Sequence, residues 1–200
     1  DTLHGGDWHD YLYGGDGADT LNGDAGNDNL LGQNGNDMLF GGDGYDKIQG
    51  GAGEDIIYGG SHNDKLFGQD DDDILYGDAG SDNLYWGYGN DILIGGEGVD
   101  YLYGNQGADT FHLDLVSQDR IKDFKISEGD VLDISDLLSG YGVGSDINDF
   151  VKITIQDQYR TDVQIDADGT GGFQYAGIIY GNFTGETVDG LISSGTFIVQ

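Results

Sequence analysis

The chain has no cysteine, no proline, a single methionine, and only seven lysines and arginines among 200 residues. Without cysteine there is no disulfide framework and no thiolate zinc site, and the four histidines are too scattered to take its place. Without proline, no slow prolyl isomerisation delays folding. Sparse positive charge against 38 acidic residues leaves a net charge of −31, which repels nucleic acid and the chain itself alike. No apolar stretch approaches the roughly 18 residues of a transmembrane helix, and no cationic segment with an apolar core marks a secretory leader. The sequence begins in mid-repeat and so reads as a piece of a longer protein. Neither G-x-S-x-G nor H-E-x-x-H occurs, and no histidine is grouped with a nucleophile, so no enzyme activity is expected of these residues.

What the chain does have is a period. Twelve nonapeptides run without insertion or deletion from Gly5 to His112. Their sixth place is always aspartate: Asp10, Asp19, Asp28, Asp37, Asp46, Asp55, Asp64, Asp73, Asp82, Asp91, Asp100 and Asp109, with Asp1 in the same register. The eighth place is always Leu, Ile or Phe, and the first is Gly in eleven copies and Trp86 in one. Each unit divides into a Gly-rich hexapeptide, such as the one from Gly14 to Asp19, and a three-residue strand, such as Thr20-Leu21-Asn22. Glycine permits the positive φ of a tight turn. Neighbours on a strand face opposite ways, so only the eighth-place side chain points inward.

One buried aliphatic per nine residues is too little to offset the ordering of nine backbones. The rest must come from ladders between stacked turns and from a cation that neutralises the aspartates. Calcium fits best, since it accepts roughly six to eight oxygens in flexible geometry while magnesium prefers rigid octahedra with retained waters. A Gly-rich, weakly hydrophobic and highly charged segment of this kind is predicted to be disordered until neutralised, which makes folding and metal binding one event. Such a chain is unfolded at cytosolic calcium and folded outside.

The pattern G-G-x-G-x-D-x-U-x resembles the repeats-in-toxin (RTX) family of calcium-binding β-rolls. The resemblance covers residues 1–112. It implies an all-β fold, a right-handed parallel β-roll (a β-solenoid) with two nonapeptides per turn, each ion lying between a loop and the loop 18 residues later. Sixth-place carboxylates and loop carbonyls are then the ligands, pairing Asp10 with Asp28, Asp19 with Asp37, and so on to Asp91 with Asp109. Six turns at a strand spacing of about 4.8 Å give a roll about 30 Å long. His62 and Asp71 replace the fourth-place glycine in adjacent loops, and Trp8 does so at the entrance, so weaker or missing ions are expected there. The run Asp70 to Asp73 reads either as a site for a differently coordinated ion or as a drifted loop on a solvated edge.

After His112 the period stops, which places the one boundary between residues 1–112 and 113–200. Strands are predicted around Ile121 and Phe124, Val131 to Ile134, Val151 to Ile155, Val163 to Ile165, and Phe197 to Val199. Helical turns are predicted at Ser135–Leu138 and Thr187–Ser194, giving a β-rich cap with one or two short helices. Asp166-Ala167-Asp168-Gly169 reads as a β-turn rather than a calcium loop. The run from Asp119 to Leu138, and the close from Leu191 to Val199, resemble the C-terminal target domain of type I secreted proteins. That resemblance implies an uncleaved signal recognised by an inner-membrane ABC transporter, and a secreted or cell-surface destination. The same strands also serve to cap the roll.

Alternate repeats feed opposite sheets, and the outward residues of the two differ. One sheet shows an apolar column of Met38, Phe40, Ile56, Tyr58, Ile74, Tyr76, Ile92 and Ile94. Either the C-terminal segment folds across it, or self-association or a partner uses the Met38, Ile56, Ile74 and Ile92 face, or the face is a tolerated exposed one. The tyrosines invite a sugar-binding reading, but tyrosine is common on strand surfaces and no single side chain repeats as a uniform outward array. Taken together, the sequence predicts a calcium-dependent folding and type I export module at the C-terminus of a larger bacterial protein. The resemblance favours an RTX adhesin as parent, with a secreted hydrolase or toxin, or a ligand-binding module in its own right, as alternatives.

Overall fold

The computed structural model describes residues 1–113, 117–134, 137, 151–157, 160–165, 174–181 and 197–198. The early repeats form β1 (Thr2–Gly6), β2 (Tyr11–Asp16), β3 (Thr20–Asp24), β4 (Asn29–Asn34), β5 (Met38–Asp43), β6 (Lys47–Ala52) and β7 (Ile56–Ser61). The later ones form β8 (Lys65–Asp70), β9 (Ile74–Gly80), β10 (Asn83–Tyr88), β11 (Ile92–Ile94), β12 (Glu97–Gly98), β13 (Tyr101–Gln106) and β14 (Thr110–His112). Beyond the repeat lie β15 (Asp119–Phe124), a 3-10 turn (Ile126–Glu128) and β16 (Val131–Asp133). Then come β17 (Val151–Asp157), β18 (Arg160–Ile165), β19 (Gln174–Gly181) and β20 (Phe197–Ile198).

Successive strands alternate between two sheets, so each strand pairs in parallel with the one 18 residues on, as Leu21 with Leu39 and Leu30 with Ile48. The first sheet runs β1-β3-β5-β7-β9-β11-β14-β16-β20, with β12 beside β9, and the second runs β2-β4-β6-β8-β10-β13-β15-β19-β18-β17. This is a parallel β-solenoid of about seven turns. The eighth-place residues from Leu21 to Phe111 are fully buried, one per strand, as the period predicts. Trp86 joins them although it stands in a first place where every other repeat has glycine. The backbone turns at the second place, where φ is positive in all twelve repeats, from 66° at Asp78 to 134° at Gly87.

Both ladders continue past His112. Arg120 and Ile121 pair with Tyr101 and Leu102, and Val131 to Asp133 pair with Thr110 to His112. Ile121, Phe124, Leu132 and Ile134 carry the core onward, and Phe124 packs against Phe111 with ring centroids 5.6 Å apart. The strands expected after the repeat are present, and β17 and β18 form an antiparallel hairpin. β19 lies in a stretch whose sequence does not announce a strand, yet it joins this hairpin to the roll, parallel to β15 and antiparallel to β18. The helix expected at 187–194, the turn at 166–169, Val199, and all of the 135–138 turn except Leu137 lie outside the described residues.

The described C-terminal strands lengthen the sheets at their ends and do not cross the apolar column. Met38 and Ile92 are each 39% exposed, while Ile56 and Ile74 are half-buried by their neighbours. The outward ninth places are more regular than their composition suggests. Phe40, Tyr58 and Tyr76 stack on the first sheet at 5.0 and 4.7 Å, and Phe67, Tyr85 and Tyr103 on the second at 5.1 and 4.6 Å. Residues of different name thus build two aromatic ladders, one on each face, although no single side chain repeats throughout.

Candidate metal centre along the roll

Each sixth-place aspartate closes its hexapeptide and opens the next strand, so the period that stacks the strands also stacks the carboxylates. From Asp28 to Asp109, Oδ1 of each accepts a hydrogen bond from the backbone N–H of the aspartate one turn earlier. The distance is 2.8 Å from Asp10 to Asp28, 2.7 Å from Asp46 to Asp64, and 3.1 Å from Asp91 to Asp109. The pairs named from the 18-residue spacing are therefore neighbours in space. Asp1 keeps the register through its amino group, which meets Asp19 Oδ1, while its own side chain stays exposed.

The other carboxylate oxygen has a different situation. In eleven of the twelve repeats, from Asp10 to Asp109 with Asp100 set apart, Oδ2 is buried and has no hydrogen-bond partner among the described residues. A buried anion without a donor is expensive unless a cation stands by. The surroundings are oxygens: a side chain on Gly14 would begin 2.7 Å from both Asp19 Oδ2 and the Gly32 carbonyl oxygen, and one on Gly59 would begin 2.7 Å from the Gly77 carbonyl and 2.8 Å from Asp64 Oδ2. First-place glycine therefore keeps open a small space on which a carboxylate and a carbonyl of the next turn converge. Among the described residues no three His, Cys, Asp or Glu side chains gather at one point, so a bound ion would need carbonyls beside its carboxylates. An all-oxygen donor set of this kind suits a hard cation with flexible coordination, which is calcium.

Burial pushes these carboxyls up, and their neighbours' negative charge adds to it. Asp46 and Asp91 rise to about 6, Asp55, Asp82 and Asp109 to about 7, and Asp64 and Asp73 to about 8. The backbone N–H bond opposes the rise without cancelling it.

Two of the three fourth-place departures, His62 and Asp71, take the positive φ of the turn, and Trp8 does not. His62 and Asp71 hold φ of 79° and 76° where glycine stands elsewhere, and Asp64 and Asp73 in those repeats still bury a donorless Oδ2. In the run Asp70 to Asp73 only Asp73 turns inward, while Asp72 Oδ1 accepts from the Asn90 N–H at 2.7 Å on the surface. That is the geometry of a drifted loop on a solvated edge.

Two aspartates beyond the repeat join the ladder. Asp119 Oδ1 accepts from Asp100 N–H at 3.1 Å, and Asp130 Oδ1 from Asp109 N–H at 3.2 Å. Their Oδ2 atoms do have donors: the Ser117 hydroxyl at 2.7 Å for Asp119 and the Lys125 N–H at 2.7 Å for Asp130. The spacings of 19 and 21 residues hide both from a search at 18. A signal was present, since each opens an alternating strand as every sixth-place aspartate does.

The family described as RTX calcium-binding nonapeptide repeat (4 copies) matches residues 1–30, 31–64, 59–84 and 87–115. RTX nonapeptide repeats bind multiple calcium ions, are structural units, and are typical of secreted proteins. No curated protein matches the chain in sequence. Among solved structures, the chain is similar to the AlgE6R2 subunit of the mannuronan C5-epimerase from Azotobacter vinelandii, with 26% identity and a TM-score of 0.48 over 70% of this chain and 90% of that one. The AlgE6R3 subunit of the same enzyme matches at 20% identity and a TM-score of 0.22, over 97% of this chain and 80% of that one. The extracellular lipase LipA from Serratia marcescens matches at 18% identity and a TM-score of 0.27, over 95% of this chain and 40% of that one. Among the described residues no helix is long and apolar enough to cross a membrane.

Proposed function

Because the chain belongs to the family of RTX calcium-binding nonapeptide repeats, we propose that it is a calcium-triggered folding and export module of a larger secreted bacterial protein, an adhesin in the preferred reading. The observation that carries this is the row of buried Oδ2 atoms without a donor in eleven of the twelve repeats. Bound calcium supplies the positive charge and oxygen coordination that such a row requires. In this reading the ligands are the sixth-place carboxylates from Asp10 to Asp109, with Asp1 at the open end, and loop carbonyls between them. The Oδ1 atoms tie each turn to the one before it, and first-place glycines leave the space free. Without a counter-charge the stacked carboxylates repel one another, and the chain stays extended at cytosolic calcium. Sites beside His62 and Asp71 are the weaker ones, since a side chain there holds a strained φ.

Residues 113–200, divided from the roll after His112, would present the export signal to an inner-membrane ABC transporter and then cap the roll outside. Folding on the far side hinders backsliding. The test is far-UV circular dichroism of the chain during a calcium titration with magnesium as control, together with the export rate of a variant carrying Asp→Asn at several inner sixth places. A cooperative coil-to-β transition with calcium alone and slowed export support the reading. A full β signal in excess chelator, or export at normal speed, would overturn it.

A further inference from the structure

The two sheets differ at the second place of the nonapeptide. On the second sheet these places read Gly15, Gln33, Gly51, Gln69, Gly87 and Asn105, so a carboxamide alternates with glycine turn by turn. On the first sheet they read Gly6, Asp24, Gly42, Gly60, Asp78 and Gly96, with no alternation and no amide. Gln33, Gln69 and Asn105 hold φ of 82°, 94° and 68°, which glycine adopts freely and a side chain does not. Gly51 and Gly87, one turn away, show that glycine suits the same place. Strain kept three times at a fixed interval on one face points to work for the amide groups.

The surface there is also grooved. A hollow of about 280 Å³ includes Leu31, Gln33, Gln49, Gln69 and Asp70 in its walls, and a second of about 400 Å³ includes Gln69, Asp70, Tyr85, Tyr88 and Asn105. They share Gln69 and Asp70, so a single furrow runs along the roll past all three amides. Two turns separate each amide from the next, about 10 Å at the usual strand spacing. All three are exposed. The Asn105 side chain donates a long 3.4 Å bond from Nδ2 to the Tyr103 carbonyl, while its backbone N–H donates to Asp123 Oδ2 at 2.8 Å and its carbonyl accepts from Lys125 Nζ at 2.6 Å.

A carboxamide presents a donor pair and an acceptor together, which suits hydroxyl groups, and aromatic walls suit the apolar faces of pyranose rings. Asp70 in the furrow and the net charge of −31 oppose a polyanion. We propose that this furrow binds an extended, uncharged β-1,4-linked polysaccharide, whose disaccharide step brings equivalent hydroxyls in turn to Gln33, Gln69 and Asn105. The site is separate from the carboxylate row inside the roll, and it requires only that the roll be folded.

The experiment is affinity electrophoresis of the calcium-saturated chain through gels containing hydroxyethylcellulose, glucomannan or xylan, with polymannuronate as the charged control. Retardation in at least one neutral gel, and none in polymannuronate, is expected. The triple variant Gln33→Gly, Gln69→Gly, Asn105→Gly relieves backbone strain and so keeps or raises the thermal midpoint, yet it should lose at least tenfold in affinity. Gln69→Gly alone, where the hollows meet, should weaken binding more than Asn105→Gly. No retardation in any neutral gel, retardation by polymannuronate alone, or undiminished binding by the triple variant would overturn the proposal. Circular dichroism of the same samples reports folding by itself, so a failure of glycan binding is distinguishable from a failure of calcium-coupled folding.

Discussion

The twelve repeats and the turn that follows them hold one backbone ladder by two different means. In both, Oδ1 of an aspartate accepts the N–H of the aspartate one turn earlier. In eleven of the twelve repeats, Asp100 set apart, the second oxygen is buried without a donor, whereas those of Asp119 and Asp130 accept from the Ser117 hydroxyl and the Lys125 N–H. The difference follows from the loops. A hexapeptide repeated twelve times, with glycine at its first place in all copies but that of Trp86, has no side chain that donates to Oδ2, so the compensating charge must come from outside the chain. The final turn escapes the period, with spacings of 19 and 21, and the extra residues let it bring its own donors. In the proposed reading, a strictly periodic solution therefore makes folding conditional on an ion, and an aperiodic one removes that condition.

The comparison breaks most completely if calcium is withdrawn. Excess chelator should abolish the β signal of the repeats, and magnesium should not restore it, as circular dichroism will show. Next comes pH. With burial pushing Asp64 and Asp73 to about 8, the ion-free folded state binds protons that the unfolded state has released above about 4. Stability of that state is lost as pH rises from about 4 to about 8, so acidification in chelator should return part of the β signal. With calcium the sign reverses, because protons compete for the carboxylates, and the calcium midpoint measured by titration should rise as pH falls.

Single substitutions sharpen the contrast. Asp64→Asn removes a buried carboxylate, a ligand in the proposed reading, from the middle of the row and should cost about 3 kcal/mol in calcium and raise the calcium midpoint several-fold, by denaturant unfolding and titration. Asp119→Asn should shift that midpoint less, since Ser117 already serves the second oxygen. Ser117→Ala should have the smallest effect, about 1 kcal/mol in calcium-saturated unfolding with the midpoint unchanged.

Much of this molecule is legible in the sequence because one constraint acts twelve times. The in-phase leucines and aspartates define strand, turn, core and ladder together, and the structure places the 18-residue neighbours as that period predicts. Legibility ends where the spacing changes. Asp119 and Asp130 fall out of register by one and three residues, although their role in the ladder is the same. β19 is unannounced because its place is fixed by β15 and β18 on either side rather than by its own alternation. The aromatic ladders are hidden because Phe and Tyr substitute for one another and the two sheets interleave in sequence.

The burial of Trp86 has an optical consequence. The chain has two tryptophans, and Trp8 is 80% exposed while Trp86 is 1% exposed. Folding leaves the emission of the first in water and moves the second into an apolar interior, so fluorescence carries both an internal standard and a reporter. A blue-shifted component that rises with calcium would then time the closing of the roll at its tenth repeat, without any added label.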